Sequence, residues 1–231
     1  MNSASNRTTT IPEITAVPAA PVAPLTQKGV QSRERIMHFA LQEFAEKGFE
    51  KASLRRIAKK SGLTTGAIYG YFESKEGLFD ALVSPVGNEL LDLMIKANVT
   101  FFEQPASKQN MHVMYDFSLG FTSAFLTCIY DHREEVLLIL DKSEGTSWLS
   151  FIDRLVNIEL QSTARYQQQQ DRLEHPVEKP VLSEEMSQIF ARSYFLIFAD
   201  IVRRTPQREQ AYQKMLSVMR FFHSGYAAFL D

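Results

Sequence analysis

Residues Ser53 to Phe72, SLRRIAKKSGLTTGAIYGYF, carry the pattern that decides the fold. Ser53 can accept a hydrogen bond from the free amides of a first helical turn, and Leu54, Ile57 and Ala58 recur at i, i+3 and i+4 on one face. Gly62 supplies the left-handed backbone that ends this short helix, and Leu63 turns back toward the core. Thr64 or Thr65 then caps a second helix, which Ile68 and Phe72 bury. Its outward face holds Thr65, Gly66, Ala67, Tyr69, Gly70 and Tyr71, small residues and hydroxyls with no long charged side chain to keep a partner away. Two glycines inside so short a helix cost about 1 kcal/mol each relative to alanine, so close backbone approach to a ligand explains them better than stability. Such a face suits the major groove of DNA.

Charge supports that reading. Between Lys51 and Lys75 stand six basic residues, Lys51, Arg55, Arg56, Lys59, Lys60 and Lys75, against the single acid Glu73, in a chain of net charge -2. Residues 28–80 balance at +3 and residues 81–231 at -5. A basic amino-terminal unit fits phosphate neutralisation, and an acidic remainder argues against a protein that coats nucleic acid or a membrane with its whole surface. Part of the basic run, among Arg55, Arg56, Lys59 and Lys60, reads as a solvated face.

The longer stretch RERIMHFALQEFAEKGFEKASLRRIAKKSGLTTGAIYGYFESKEGLFDALV resembles the DNA-binding domain of TetR-type transcriptional regulators. The resemblance covers roughly residues 30–90. Its elements stand in order: Ile36, Ala40 and Phe44 at core spacing, the Gly48-Phe49 break, the Ala58 to Gly62 turn, and Tyr69-Gly70-Tyr71-Phe72 followed by Ser74-Lys75-Glu76. Thr65 and Tyr71 depart from the pattern, which often has a basic residue and a histidine there. The resemblance implies that Thr64, Thr65, Gly66 and Ala67 approach base edges, that Tyr69, Tyr71 and Lys75 grip phosphates, and that Arg33 reaches the same strand. Ser53 with its backbone amide would form an anion site at a helix N-terminus. Threonine hydroxyls donate or accept, and their methyls touch thymine methyls, so this face does not spell an operator.

Elsewhere the chain reads as helix, with no alternating strand pattern. The expected class is all-α: a three-helix head, a helix-turn-helix at 53–72, and a connecting helix into a helical ligand-binding and dimerisation body at 91–231, about nine helices in all. The connecting helix runs from Ser74 with Leu78, Leu82, Val86, Leu90, Leu93 and Ala97 at three-to-four spacing, until Gln104-Pro105 breaks it. Asn110 to Tyr130, Arg133 to Leu140 and Ser147 to Gln168 follow as apolar-rich helices. The polar stretch from Gln167 to Pro180 reads as a loop or frayed end. Residues 1–27, with four prolines, five threonines and only Arg7 and Glu13 charged, read as a disordered arm without the plan of a secretory leader. No run reaches the roughly 18 to 20 apolar residues that span a bilayer, and the cytoplasm is the expected compartment. The lone Cys128, beside Phe125, Leu126 and Ile129, reads as a buried structural thiol.

Met186, Phe190, Ser193, Ile197 and Ile201 mark one carboxy-terminal helix; Met215, Met219, Phe222, Tyr226 and Phe229 mark another. Phe195, Phe198, Val218 and Phe221 widen the apolar surface, and Gly225, Ala227 and Ala228 permit close approach. Two helices this apolar call for a partner, and the resemblance implies a homodimer through 183–202 and 207–230. Two heads related by a two-fold axis would meet double-stranded DNA at a near-palindromic operator. The resemblance further implies release by a small-molecule effector. Phe117, Phe121, Trp148 and Phe151 are candidate walls of its pocket, with His112, Asp116, Asp141 and Lys142 as polar contacts, and an aromatic supply without a dense charge cluster favours a moderately apolar or cationic aromatic compound. A reading of another class is a structural DNA-associated protein without an effector, whose body binds a protein partner. No nucleotide loop, nucleophile elbow or HExxH pair is present, the five histidines are scattered, and Asp131 to Glu135 point in different directions. Neither catalysis nor a metal or cofactor is expected.

Overall fold

Thr26 opens the first helix by accepting the Gly29 amide on its hydroxyl at 3.3 Å. The computed structural model describes residues 26–173 and 183–230, and among them the regular structure is entirely helical. Helix α1 spans Gln27–Lys51, so Thr26 and Gln27 belong to this helix and not to an arm; residues 1–25 of the expected arm lie outside the described residues. Gly48, at φ 73°, breaks α1 where the Gly48-Phe49 pair predicts.

Helices α2 (Leu54–Ser61) and α3 (Thr65–Phe72) meet at the predicted turn. Gly62 adopts φ 68°, the Leu63 amide reaches back to the Ala58 carbonyl at 3.0 Å, and the Gly62 amide bonds that of Lys59 at 3.3 Å. This pair of bonds closes the carbonyl end of α2 in a Schellman arrangement. Ile36, Ala40, Phe44, Ile57, Ile68, Leu78 and Phe79 form the buried centre of the head. Phe44 and Phe79 cross edge to face at 5.1 Å.

Ser74 caps α4 (Lys75–Phe102), accepting the Gly77 amide at 2.8 Å. The predicted stripe holds through Leu90 and then passes from Leu93 to Met94, because 3.6 residues per turn rotate a fixed spacing off the core. Pro85 lies inside the helix, which continues past it. Helix α4 runs unbroken across 90–91, and one continuous core extends from Ile36 to Met219, so head and body share packing at the expected boundary.

The body adds α5 (Met111–Asp131), α6 (Arg133–Asp141), α7 (Phe151–Leu173), α8 (Glu184–Arg204) and α9 (Arg208–Leu230). Ser147–Ser150 forms a 3-10 turn before α7, where the sequence predicts α-helix from Ser147. Helix α7 continues past Gln168 to Leu173; the remainder of the polar stretch, 174–180, lies outside the described residues. Thr205 and Pro206 separate α8 from α9. There the Tyr130 hydroxyl donates to the Thr205 carbonyl, and Arg133 donates to the terminal carbonyls of α8 at Val202 and Arg203.

The carboxy-terminal faces differ from the sequence reading. Helix α8 buries Ser187, Ala191, Phe195, Phe198, Ala199 and Val202 inside its own subunit, while the predicted face keeps Met186 and Ile197 exposed, together with Ile189 and Leu196. Phe195 and Phe198 are therefore core residues. The helix is apolar around most of its circumference, and periodicity alone does not say which side its own body takes. On α9, Met215 and Met219 are buried as predicted, and Phe221 is 76% exposed. The side chains of Tyr226, Ala227, Ala228 and Phe229 lie outside the described residues.

Candidate nucleic-acid interface

Helix α3 is held by two buried side chains and a cap. Thr64 accepts the Ala67 amide on its hydroxyl at 3.1 Å, fixing the first turn, while Ile68 and Phe72 anchor the inner face. Thr64, Gly66, Tyr69 and Gly70 are exposed, and Thr65, Ala67 and Tyr71 are half-buried. A Cβ at Gly70 would meet nothing within 4 Å, and one at Gly66 would meet only the Thr64 hydroxyl at 3.8 Å. Packing within the chain does not require glycine at either position. The two glycines lower the outer surface of the helix and so permit another molecule to reach its backbone.

The flanking residues divide. Tyr69, 51% exposed, stands free of the core, whereas Tyr71 packs partly against it with its ring 6.2 Å from that of Phe72. Arg33 lays its guanidinium over Phe72 at 5.3 Å, joining the start of α1 to the end of α3. Lys75 departs from the sequence reading. Its ammonium donates to the carbonyls of Glu50 at 3.0 Å and Ala52 at 3.5 Å and sits 4.6 Å from the centre of the Phe49 ring. The orphan carbonyls where α1 ends draw the cation inward.

Ser53 also differs. Its hydroxyl accepts the Arg56 amide at 3.5 Å, as an N-cap should, but its own amide donates to the Glu43 carboxylate at 3.0 Å, so the anion site expected at that amide is filled by an internal anion. Arg56 donates to the same carboxylate oxygen through Nε at 2.8 Å and through its terminal nitrogen at 2.5 Å. The Glu43 side chain is only 1% exposed. The Arg56 hydrogen bonds hold its carboxyl below the usual carboxylate range, against the opposing effect of burial. Sequence reasoning missed this cluster. Its signal was an acid seven residues after Ile36, on the same stripe as Ala40 and Phe44. Arg55, Lys59 and Lys60 remain exposed, on the outer face of α2.

The candidate effector residues do not converge on one place. Phe117 joins Phe101, Phe102 and Tyr166 in a small separate cluster. Phe121 packs on Phe125 at 5.0 Å, while Trp148 and Phe151 are buried together where the body meets α4. Asp141 pairs with Arg203 at 2.7 Å. Cys128 is buried as predicted, and its thiol is pushed up to about 12 by burial and the neighbouring Glu89, so it has almost no thiolate at neutral pH.

The family model for bacterial regulatory proteins of the tetR family matches residues 36–82, the stretch from the middle of α1 to the start of α4. The chain's head thus matches the DNA-binding region of the tetR family. An uncharacterised HTH-type transcriptional regulator of Bacillus subtilis (strain 168), YdgC, is 42% identical over 60 residues, 26% of this chain and 31% of that protein. The HTH-type transcriptional repressor BepR of Brucella suis biovar 1 is 27% identical over 113 residues, 49% of this chain and 50% of that protein. These matches span a third to a half of the relatives' own length. The fold extends further. NalD of Pseudomonas aeruginosa, described as the secondary repressor of the MexAB-OprM multidrug efflux pump, superposes with a TM-score of 0.54 at 22% identity over 84% of this chain and 96% of that one. The TetR-type head thus sits on a body whose helical arrangement is shared while its sequence is not.

Proposed function

We propose that the chain is a sequence-specific transcriptional repressor that binds a near-palindromic operator as a homodimer and leaves it when a small molecule occupies the body. The observation that carries this reading is α3, a capped and anchored helix whose exposed face is short enough for base edges to approach its backbone. In it, Thr64, Thr65, Gly66 and Ala67 face the bases and Tyr69 and Tyr71 reach phosphates; Arg33 flanks the same strand. The repressor role printed for the Brucella and Pseudomonas relatives supports the same role here. The exposed apolar residues Met186, Ile189, Leu196 and Ile197 on α8, with Phe221 on α9, supply the surface for a second copy. A two-fold pair of heads would then read half-sites about 34 Å apart. The described helices include none long and apolar enough to cross a membrane, and the proposed place of action is the cytoplasm.

Effector release is a coupling between two sites. A compound that lowers DNA affinity must itself bind more weakly, by the same factor, when DNA is present. Selection from a random duplex pool with the purified chain tests the reading. An enriched near-palindrome with steep salt dependence is expected, and salt-dependent binding without enrichment would instead mark a structural DNA-associated protein. On the selected duplex, Thr65→Ala and Tyr69→Phe should weaken binding without changing the dimer mass.

A further inference from the structure

Helix α6 is fastened at both ends to the last turn of α8. At its start, Arg133 donates to the Val202 and Arg203 carbonyls at 3.0 and 3.2 Å. At its end, Arg203 donates through Nε to the Asp141 carboxylate at 2.7 Å and through a terminal nitrogen to the Leu140 carbonyl at 3.2 Å. Each guanidinium meets the carbonyl end of the other helix, where the helix dipole favours a cation. The flat fork of an arginine can hold a carboxylate and a neighbouring main-chain carbonyl together, which the single point charge of a lysine cannot.

One residue further, the chain meets the head. The Lys142 carbonyl accepts the Phe49 amide at 2.9 Å, next to the Gly48 break in α1. The Phe49 ring is set in turn against those of Phe44 at 6.0 Å and Phe79 at 5.5 Å, both in the buried centre of the head. At Gly145, with φ 84°, a Cβ would come to 3.4 Å from the Phe49 ring and from the Glu50 side chain, so the same segment runs closely along the end of α1. The stretch 140–145 therefore touches α8, which carries the proposed dimer face, on one side and the head on the other. Helix α4 also joins head to body, but Pro85 has no amide to offer the Ala81 carbonyl and removes one rung from the helix between them. A second attachment away from the axis of α4 fixes the angle that this helix leaves soft.

We propose that Arg203 is a positioning residue for operator spacing: by clamping the end of α6 to α8, it sets the angle of each head on the dimerisation helices and so the separation of the two recognition helices. The inference rests on the homodimer reading above and adds to it the residue that holds the heads in register with their half-sites.

Two measurements on the full chain test it. Amide hydrogen exchange followed by NMR reports on the Phe49 amide within one subunit and without DNA. Arg203→Met should speed exchange at Phe49 by at least about tenfold while leaving the Leu63 amide, bonded within the head, unchanged. Binding to the selected duplex, and to versions with the half-sites moved apart by one or two base pairs, reports on spacing. The unaltered chain should favour the selected spacing by at least about tenfold, and R203M should shrink that preference to about threefold or less, with its affinity for an isolated half-site and its dimer mass unchanged. Asp141→Ala removes the same ion pair from the other side and should move both readings the same way, so the test stands even if R203M does not fold. An unchanged spacing preference, or equal losses on every duplex including the half-site, would overturn the assignment. Unchanged Phe49 exchange in a chain that selects a palindrome overturns the clamp and upholds the homodimer reading. Faster Phe49 exchange in the variants of a chain that selects no palindrome upholds the clamp and overturns operator spacing together with that reading.

Discussion

The Trp148 indole donates its N–H to the Asp80 carboxylate at 2.8 Å, and this bond ties the 3-10 turn before α7 to the helix that continues the head. The ring lies directly over Gly87, about two turns further along α4, where a Cβ would overlap the indole. Trp148 is thus a strut between head and body. Gly87→Ala would gain up to about 1 kcal/mol of helix propensity but force a rigid ring out of place, which costs about 1–3 kcal/mol. Net destabilisation of about 1–2 kcal/mol in urea titration is expected. An equally stable or more stable variant would refute the packing.

Glu43 makes the head sensitive to acid. Its carboxyl is held below the ordinary value of 4.5 in the folded chain, so the stability it contributes is present above that value and is lost as pH falls through the folded pKa. Glu43→Gln removes the charge that Arg56 and the Ser53 amide bind, and should cost about 1.5–3 kcal/mol at neutral pH. The variant should also lose stability less steeply than the parent between pH 5 and pH 3, about the window where the carboxylate protonates. Parallel acid limbs in denaturant titrations would mean that Glu43 is not the group responsible.

Lys75 separates two roles by measurement. A residue that neutralises one phosphate contributes about 0.9 to the slope of log affinity against log salt for each head that binds. A residue spent on the Glu50 and Ala52 carbonyls contributes to stability instead. Lys75→Met is expected to lower stability by about 1 kcal/mol, through loss of charge-assisted hydrogen bonds, while the salt slope on the selected duplex stays within error of the parent. A slope shallower by about two for the dimer would return Lys75 to the phosphates.

Which parts of this arrangement the sequence disclosed follows from how local each determinant is. The caps at Thr64 and Ser74, the left-handed Gly62 and the break at Gly48 depend on a few neighbouring residues, and each lies where the pattern predicts. The inner stripe of α1 was legible for the same reason. The internal partners of Lys75, Ser53 and Trp148 were not legible because they stand 25, 10 and 68 positions away, beyond any periodic signal. The direction of α8 was hidden by its own composition. A helix with apolar residues on nearly every side satisfies both an internal core and an external partner.

That external face yields the remaining prediction. Ile197 is 41% exposed beside Leu196, with Ile189 and Met186 about two and three turns earlier on the same side of α8. In a two-fold dimer each substitution is present twice and acts on both copies. Burying an isoleucine side chain contributes about 1.5–3 kcal/mol, and burying an unpaired carboxylate in its place opposes association further. Ile197→Asp should therefore halve the mass seen by analytical ultracentrifugation at micromolar concentration while leaving the helical content unchanged, since the position does not belong to the subunit's own core. The monomer would retain its recognition helix but bind one half-site at a time, so affinity for the palindrome should fall by at least about a hundredfold as the effective concentration of the second head is lost. A variant that remains dimeric would move the interface off this face of α8.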